Sequence, residues 1–166
     1  MKYANLVLSL ASMSWAAACG SLTLTSQLDI DTQASCSTVN GDVKISSEYV
    51  GTLNLAGVET VTGAVNGAGL HSLSSINFPD LKLVAGSINL TGSFNEYVVH
   101  NIGGRKYQVL MGIFSLSIPS LENVNGGFKV ISTKNITCAT WTKMEDYKRI
   151  RGKYECRALA PQESMH

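Results

Sequence analysis

A twelve-residue motif occurs twice in this chain, at residues 79–90 (PDLKLVAGSINL) and again 40 positions later at 119–130 (PSLENVNGGFKV). The copies share a Pro, a Leu two residues on, a Val, and a Gly two after that Val. Alternating apolar positions follow: Ile88 and Leu90 in the first copy, Phe128 and Val130 in the second. Shorter Val-x-Gly copies lie at 39–45 (VNGDVKI) and 61–65 (VTGAV), so the glycines fall at 41, 63, 86 and 126. Steps of 22, 23 and 40 residues are what a coiling chain with about 20–25 residues per turn produces, the last step covering two turns.

Within each unit, the glycine suits a corner because it tolerates positive φ. The apolar/polar alternation after it marks a short strand with one buried face. One such strand cannot bury its inward side chains alone, whereas stacked copies bury them against one another as a ladder. The expected fold class is therefore all-β, a right-handed parallel β-helix-like solenoid with short capping helices at both ends. A β-sandwich also has strands with frequent turns, but nothing in a sandwich requires a whole motif to recur in register.

The chain has 166 residues, 15% of them charged, and a formal charge of +1. This fits one domain and lacks the clustered Lys and Arg of a nucleic-acid footprint, so no nucleic-acid partner is expected. Residues 1–18 read as a signal peptide: Lys2, an apolar stretch, then Ala16-Ala17-Ala18 before Cys19. The AAAC sequence also leaves a bacterial lipoprotein site open. No transmembrane segment is expected.

Four cysteines remain, Cys19 and Cys36 near one end and Cys138 and Cys156 near the other. In an exported chain an even count at these spacings reads as disulfides, with Cys19–Cys36 and Cys138–Cys156 favoured because each closes a small loop. A zinc site lacks both a C-x-x-C and a neighbouring His. Residues 19–38 then form a disulfide cap, with Ser26 and Asp29 as a capping box for a helix from about 27 to 34. Rungs occupy 39–133. Residues 134–157 form a helical disulfide cap starting at Thr142 and Glu145 and stopping at Gly152; 158–166 is a loose tail.

Outward strand positions are mostly Ser, Thr and Asn, which serves solubility without charge and equally fits a glycan-binding face. Asn89-Leu90-Thr91 and Asn135-Ile136-Thr137 are N-glycosylation sequons. Residues 92–113 break the pattern, carrying Tyr97, His100, Arg105, Lys106 and Tyr107. They read as an irregular seam, or as a binding loop, with Gly104 as a degenerate corner. The candidate ligand surface is Asn54, Asn77, Tyr97 and Tyr107, with Asn89 beside them.

No G-x-S-x-G elbow is present, and the histidines His71, His100 and His166 are dispersed. Asp29, Asp31, Asp42 and Asp80 do not fall at matching positions of adjacent rungs, as a glycosidase pair on a solenoid groove would. No catalytic residue, cofactor or metal site is expected.

The CGSLTLTSQLDIDTQASC opening, the Val-x-Gly rungs and the NITC…GKYEC end together resemble the fungal GPI-anchored cell-wall organisation proteins, relatives of the receptor L-domain, leucine-rich-like solenoids. The resemblance implies a non-enzymatic protein of the cell surface or wall that contributes to wall organisation and integrity. Its partners would be wall polysaccharide or wall glycoproteins. The alternative is an extracellular carbohydrate- or ligand-binding module of the receptor L-domain type. Two departures stand out. Family members are about twice as long, with further rungs where 92–113 stands, and no GPI signal follows Cys156.

Overall fold

The computed structural model describes residues 17–33, 35–93, 97–102, 105–110, 115–133, 136, 138, 141–142, 144 and 148–158 (backbone only for 97–102, 105–110 and 115). The chain coils through about five turns, each contributing to up to three parallel sheets. The first turn holds β1 (Ala17–Cys19), β2 (Leu22–Leu24) and α1 (Gln27–Asp31). The second holds β3 (Cys36–Val39), β4 (Val43–Ile45) and β5 (Gly51–Asn54), the third β6 (Thr60–Val61), β7 (Val65–Gly67) and β8 (Leu73–Asn77). The fourth runs through β9 (Leu83–Val84), β10 (Ile88–Gly92), β11 (Tyr97–Ile102), β12 (Arg105–Leu110) and β13 (Ser115–Ser117). Then come β14 (Asn123–Val124), β15 (Phe128–Ser132) and β16 (Tyr154–Ala158).

Because every turn places the same motif position at the same height, apolar side chains stack in rows. In the six-stranded sheet, ordered β16-β15-β10-β7-β4-β2, one interior row is Leu22, Val43, Val65, Ile88, Phe128 and Tyr154. The next is Leu24, Ile45, Gly67, Leu90, Val130 and Cys156. The five-stranded sheet, β1-β3-β6-β9-β14, contributes Val39, Val61, Val84 and Val124; the three-stranded sheet contributes Leu53, Ile76 and Leu116. The Leu of each Pro-x-Leu motif, Leu81 and Leu121, joins the same core. Burying each such side chain is worth about 1.5–3 kcal/mol, gained only when a neighbouring turn covers it.

Gly41, the first corner, takes a positive φ of 137° as the sequence suggests, but the corners above it are required for a different reason. Gly63, Gly86, Gly126 and Gly152 do not adopt positive φ. They stack, each donating its N–H to the carbonyl of the glycine one turn below: Gly63 to Gly41, Gly86 to Gly63 and Gly126 to Gly86 at 2.9 Å, Gly152 to Gly126 at 3.0 Å. A Cβ on Gly86 would sit 2.5 Å from the Gly63 oxygen, and one on Gly126 2.7 Å from the Gly86 oxygen. Close backbone approach, rather than a left-handed turn, selects glycine here.

This ladder corrects two sequence expectations. Gly126 rests directly on Gly86, so the step of 40 residues is one turn and not two. The extra length lies between β10 and β13, where the stretch expected to be irregular carries the antiparallel hairpin β11–β12. Gly104, the expected degenerate corner, lies outside the described residues. Gly152, expected to stop a helix, is the next corner of the ladder, and the residues after it form strand β16 on β15. Cys156 and Ala158 are therefore strand residues, not cap and tail.

Both ends are tied as expected. Cys19 bonds Cys36 and Cys138 bonds Cys156, each with Cα atoms 5.8 Å apart, ordinary disulfide spacing. The helix α1 is shorter than expected, ending at Asp31. It takes the place of a third strand in the first turn and covers the edge of β5. The Gln27 side chain does this by copying a strand: its Nε2 donates to Asn54 O and its Oε1 accepts from Asn54 N–H, both at 3.3 Å. Exposed strand edges need such cover. At the opposite end Trp141, Thr142 and Met144 are helical. The Trp141 ring and the Tyr154 ring each lie 5.7 Å from the Phe128 ring, closing the core with aromatic contacts. Glu145, expected in this helix, lies outside the described residues, as does the expected leader apart from Ala17 and Ala18, which stand in β1.

Candidate functional site

The outward side chains of the six-stranded sheet come three residues after each corner glycine: Lys44, Asn66, Asn89, Lys129 and Glu155. The parallel register sets them side by side, one per strand. At the centre of this row the Asn89 Nδ2 donates to Asn66 Oδ1 at 3.1 Å. The row crosses an open groove of about 800 Å³, also bordered by Asp42, Ala68 and Thr91. That size lies within the range of ligand sites. The two ammonium groups flank two carboxamides, so the surface offers many donors alongside the apolar lining of Leu22, Ile45 and Ala68.

A second amide pair lies on the three-stranded sheet. Asn77 Nδ2 donates to Asn54 Oδ1 at 2.9 Å, and Ser75 Oγ donates to Thr52 Oγ1 at 3.1 Å. The structure thus brings Asn54 and Asn77 together but puts Asn89 on a different sheet. Tyr97 and Tyr107 belong to the hairpin; the register pairs Tyr97 with Leu110 and Tyr107 with His100, three positions apart. Asn135 lies outside the described residues. Asn66 and Lys129 escaped the sequence reading, although counting three from each glycine finds them as it finds the outward Lys44.

The acids have structural partners. Asp42 Oδ1 accepts the Ala64 N–H of the next turn at 2.7 Å, and Asp80 Oδ2 accepts the Gly57 N–H at 2.8 Å. Asp29 Oδ2 accepts from Thr25 N, Thr25 Oγ1 and Ser26 N at 2.6–2.8 Å. The Thr25 hydroxyl, with the Thr25 and Ser26 amides, holds its carboxyl below the usual 3.8. Lys82 is raised, first by its hydrogen bond to Glu59, an exposed pair at 2.9 Å. Burial raises the Tyr49 hydroxyl, with the charges of Asp29 and Asp31 adding to it. Among the described residues, no three His, Cys, Asp or Glu side chains are grouped to hold a metal ion.

Three fungal proteins match the chain. A cell surface GPI-anchored protein of Arthroderma benhamiae is 32% identical over 122 residues, covering 72% of this chain and 27% of its own. Protein ecm33 of Aspergillus fumigatus is 35% identical over 128 residues, with coverage of 75% and 28%. This chain is a homologue of the fungal ecm33-type cell-surface proteins. The cell wall protein ecm33 of Schizosaccharomyces pombe is 33% identical over 108 residues, 63% of this chain and 24% of that one. The chain thus spans about a quarter of the length of the ecm33-type relatives it matches. No family model and no solved structure matches. Among the described residues, no helix is long and apolar enough to cross a membrane.

Proposed function

We propose that this chain is a non-enzymatic protein of the fungal cell surface or wall that contributes to wall organisation through its solenoid faces. The homology to proteins named for the cell surface and cell wall carries this reading. Two features of the fold support it. Asp42 and Asp80 brace neighbouring turns through backbone amides, and the outward positions of the three-stranded sheet form rows of amides and hydroxyls. Wall polysaccharide or wall glycoproteins are the partners such rows would meet.

Deleting the gene in its own fungus should sensitise growth to dyes that bind wall glucan and chitin, and the full chain should release no reducing sugar from β-glucan, chitin or mannan. Unchanged dye sensitivity, or measurable turnover, would reject the reading. The Asn54–Asn77 pair favours a second one, a carbohydrate-binding face on the three-stranded sheet. Saturable retention on a wall polysaccharide that is lost in Asn54→Ala/Asn77→Ala would select it; loss on replacing Tyr97 and Tyr107 would move the site to the hairpin.

A further inference from the structure

We propose that the groove on the outward face of the six-stranded sheet is the seat of an N-linked glycan carried by Asn89. The inference rests on the cell-surface reading, because only an exported chain meets the glycan-transfer machinery. Its basis is the placement of the sequon. Asn89 and Thr91 are two apart on β10, so they share a face, with Leu90 between them fully buried. Both border the groove, and Asn89 stands in its central row between Asn66 and Lys129.

Transfer joins Asn89 Nδ2 to the anomeric carbon of an oligosaccharide donated by a lipid pyrophosphate. The C–N bond forms as the sugar–phosphate bond breaks; the lipid pyrophosphate leaves with the bonding pair, and the amide proton passes to a base of the transferase. One N–H remains on Nδ2, so the bond to Asn66 Oδ1 can persist in the glycosylated chain. The attached sugar then lies over Ala68, whose small side chain leaves room. Its hydroxyls and acetamido groups meet the Lys44 and Lys129 ammonium groups, each with three donors. The groove is thereby filled from within the chain and is closed to an outside polysaccharide, leaving the three-stranded sheet as the free amide face.

The test is secretion of the full chain, residues 1–166, from a yeast host, with Asn135→Gln as background to remove the other sequon. The secreted protein should lose the mass of one glycan on treatment with peptide N-glycosidase. That loss should vanish in Asn89→Gln and in Thr91→Ala, two variants so that a folding failure in one leaves the other. Acylation of Lys44 and Lys129 by an amine-reactive ester should be several-fold slower in the glycosylated chain than in either variant, with Lys82, on another face, unchanged. A secreted chain bare at Asn89 overturns the proposal alone, and so does a glycan that leaves both lysines equally reactive. A chain retained in the cytosol overturns the cell-surface reading and the proposal with it.

Discussion

At the scale of single residues, the glycine ladder makes the sharpest demand on the sequence. Gly86→Ala would force a methyl against the Gly63 carbonyl, backbone that cannot swing aside, and should destabilise the protein by about 1–3 kcal/mol. Gly20→Ala is the matched control: no atom lies within 4 Å of its added Cβ and its φ is ordinary, so stability should hold or rise by about 0.4–1 kcal/mol. Denaturant melts of the two variants check the contrast, and equal losses would refute it. Asp29 gives a pH signature. Its folded carboxyl is depressed below 3.8, so the stabilisation it adds is present above the unfolded value and disappears as pH falls through the folded one. Asp29→Asn should therefore show a shallower loss of thermal midpoint than the parent below about pH 4, where an unperturbed Asp titrates. The sequence revealed that glycine recurred at each corner, but not why, since contact between two backbones one turn apart leaves no mark beyond the missing side chain.

At the scale of elements, what was legible depended on period. Ile88, Leu90, Phe128 and Val130 follow the two-residue alternation and are all buried where expected. β16 was hidden because GKYEC carries a corner glycine and an alternating pair but follows a helical stripe, so helix signals overrode it. The hairpin was hidden for a topological reason. Between the six- and three-stranded sheets the other turns use residues 46–50 and 68–72, and the fourth turn uses 93–114. Both lengths deliver the chain to the same place, since β13 pairs with β8 as β8 pairs with β5. The hairpin pairs only with itself among the described strands. Replacing residues 94–114 by a five-residue linker should therefore leave the circular-dichroism spectrum of the solenoid intact. The unfolding free energy should rise by only about 1 kcal/mol, since loop length enters only logarithmically. Loss of cooperative unfolding in that deletion would show that the hairpin is part of the stack.

At the scale of the molecule, the decisive fact is that each turn touches only its neighbours. Stability then resembles a sum of turn and interface terms, and damage at one end should stay there. The two disulfides sit at opposite ends, Cys19–Cys36 joining β1 to β3 and Cys138–Cys156 holding β16. The pairs and their loops were legible in the sequence. What they clip was not, because it depends on which strands the corners bring together. Each closes a loop worth roughly 3 kcal/mol in the unfolded chain, yet the site of the loss should differ. Cys138→Ala/Cys156→Ala should raise amide exchange in β15 and β16 while β2 and β4, at the other end of the same six-stranded sheet, keep their protection. Cys19→Ala/Cys36→Ala should do the reverse, loosening β1, β2 and α1 and sparing β15. The two ends are separated by β7 and β10, whose interior residues Val65, Ile88 and Leu90 are fully buried and should act as the last part to open. Peptide-resolved hydrogen exchange distinguishes this from a single all-or-none core, in which either double variant would raise exchange uniformly along the sheet.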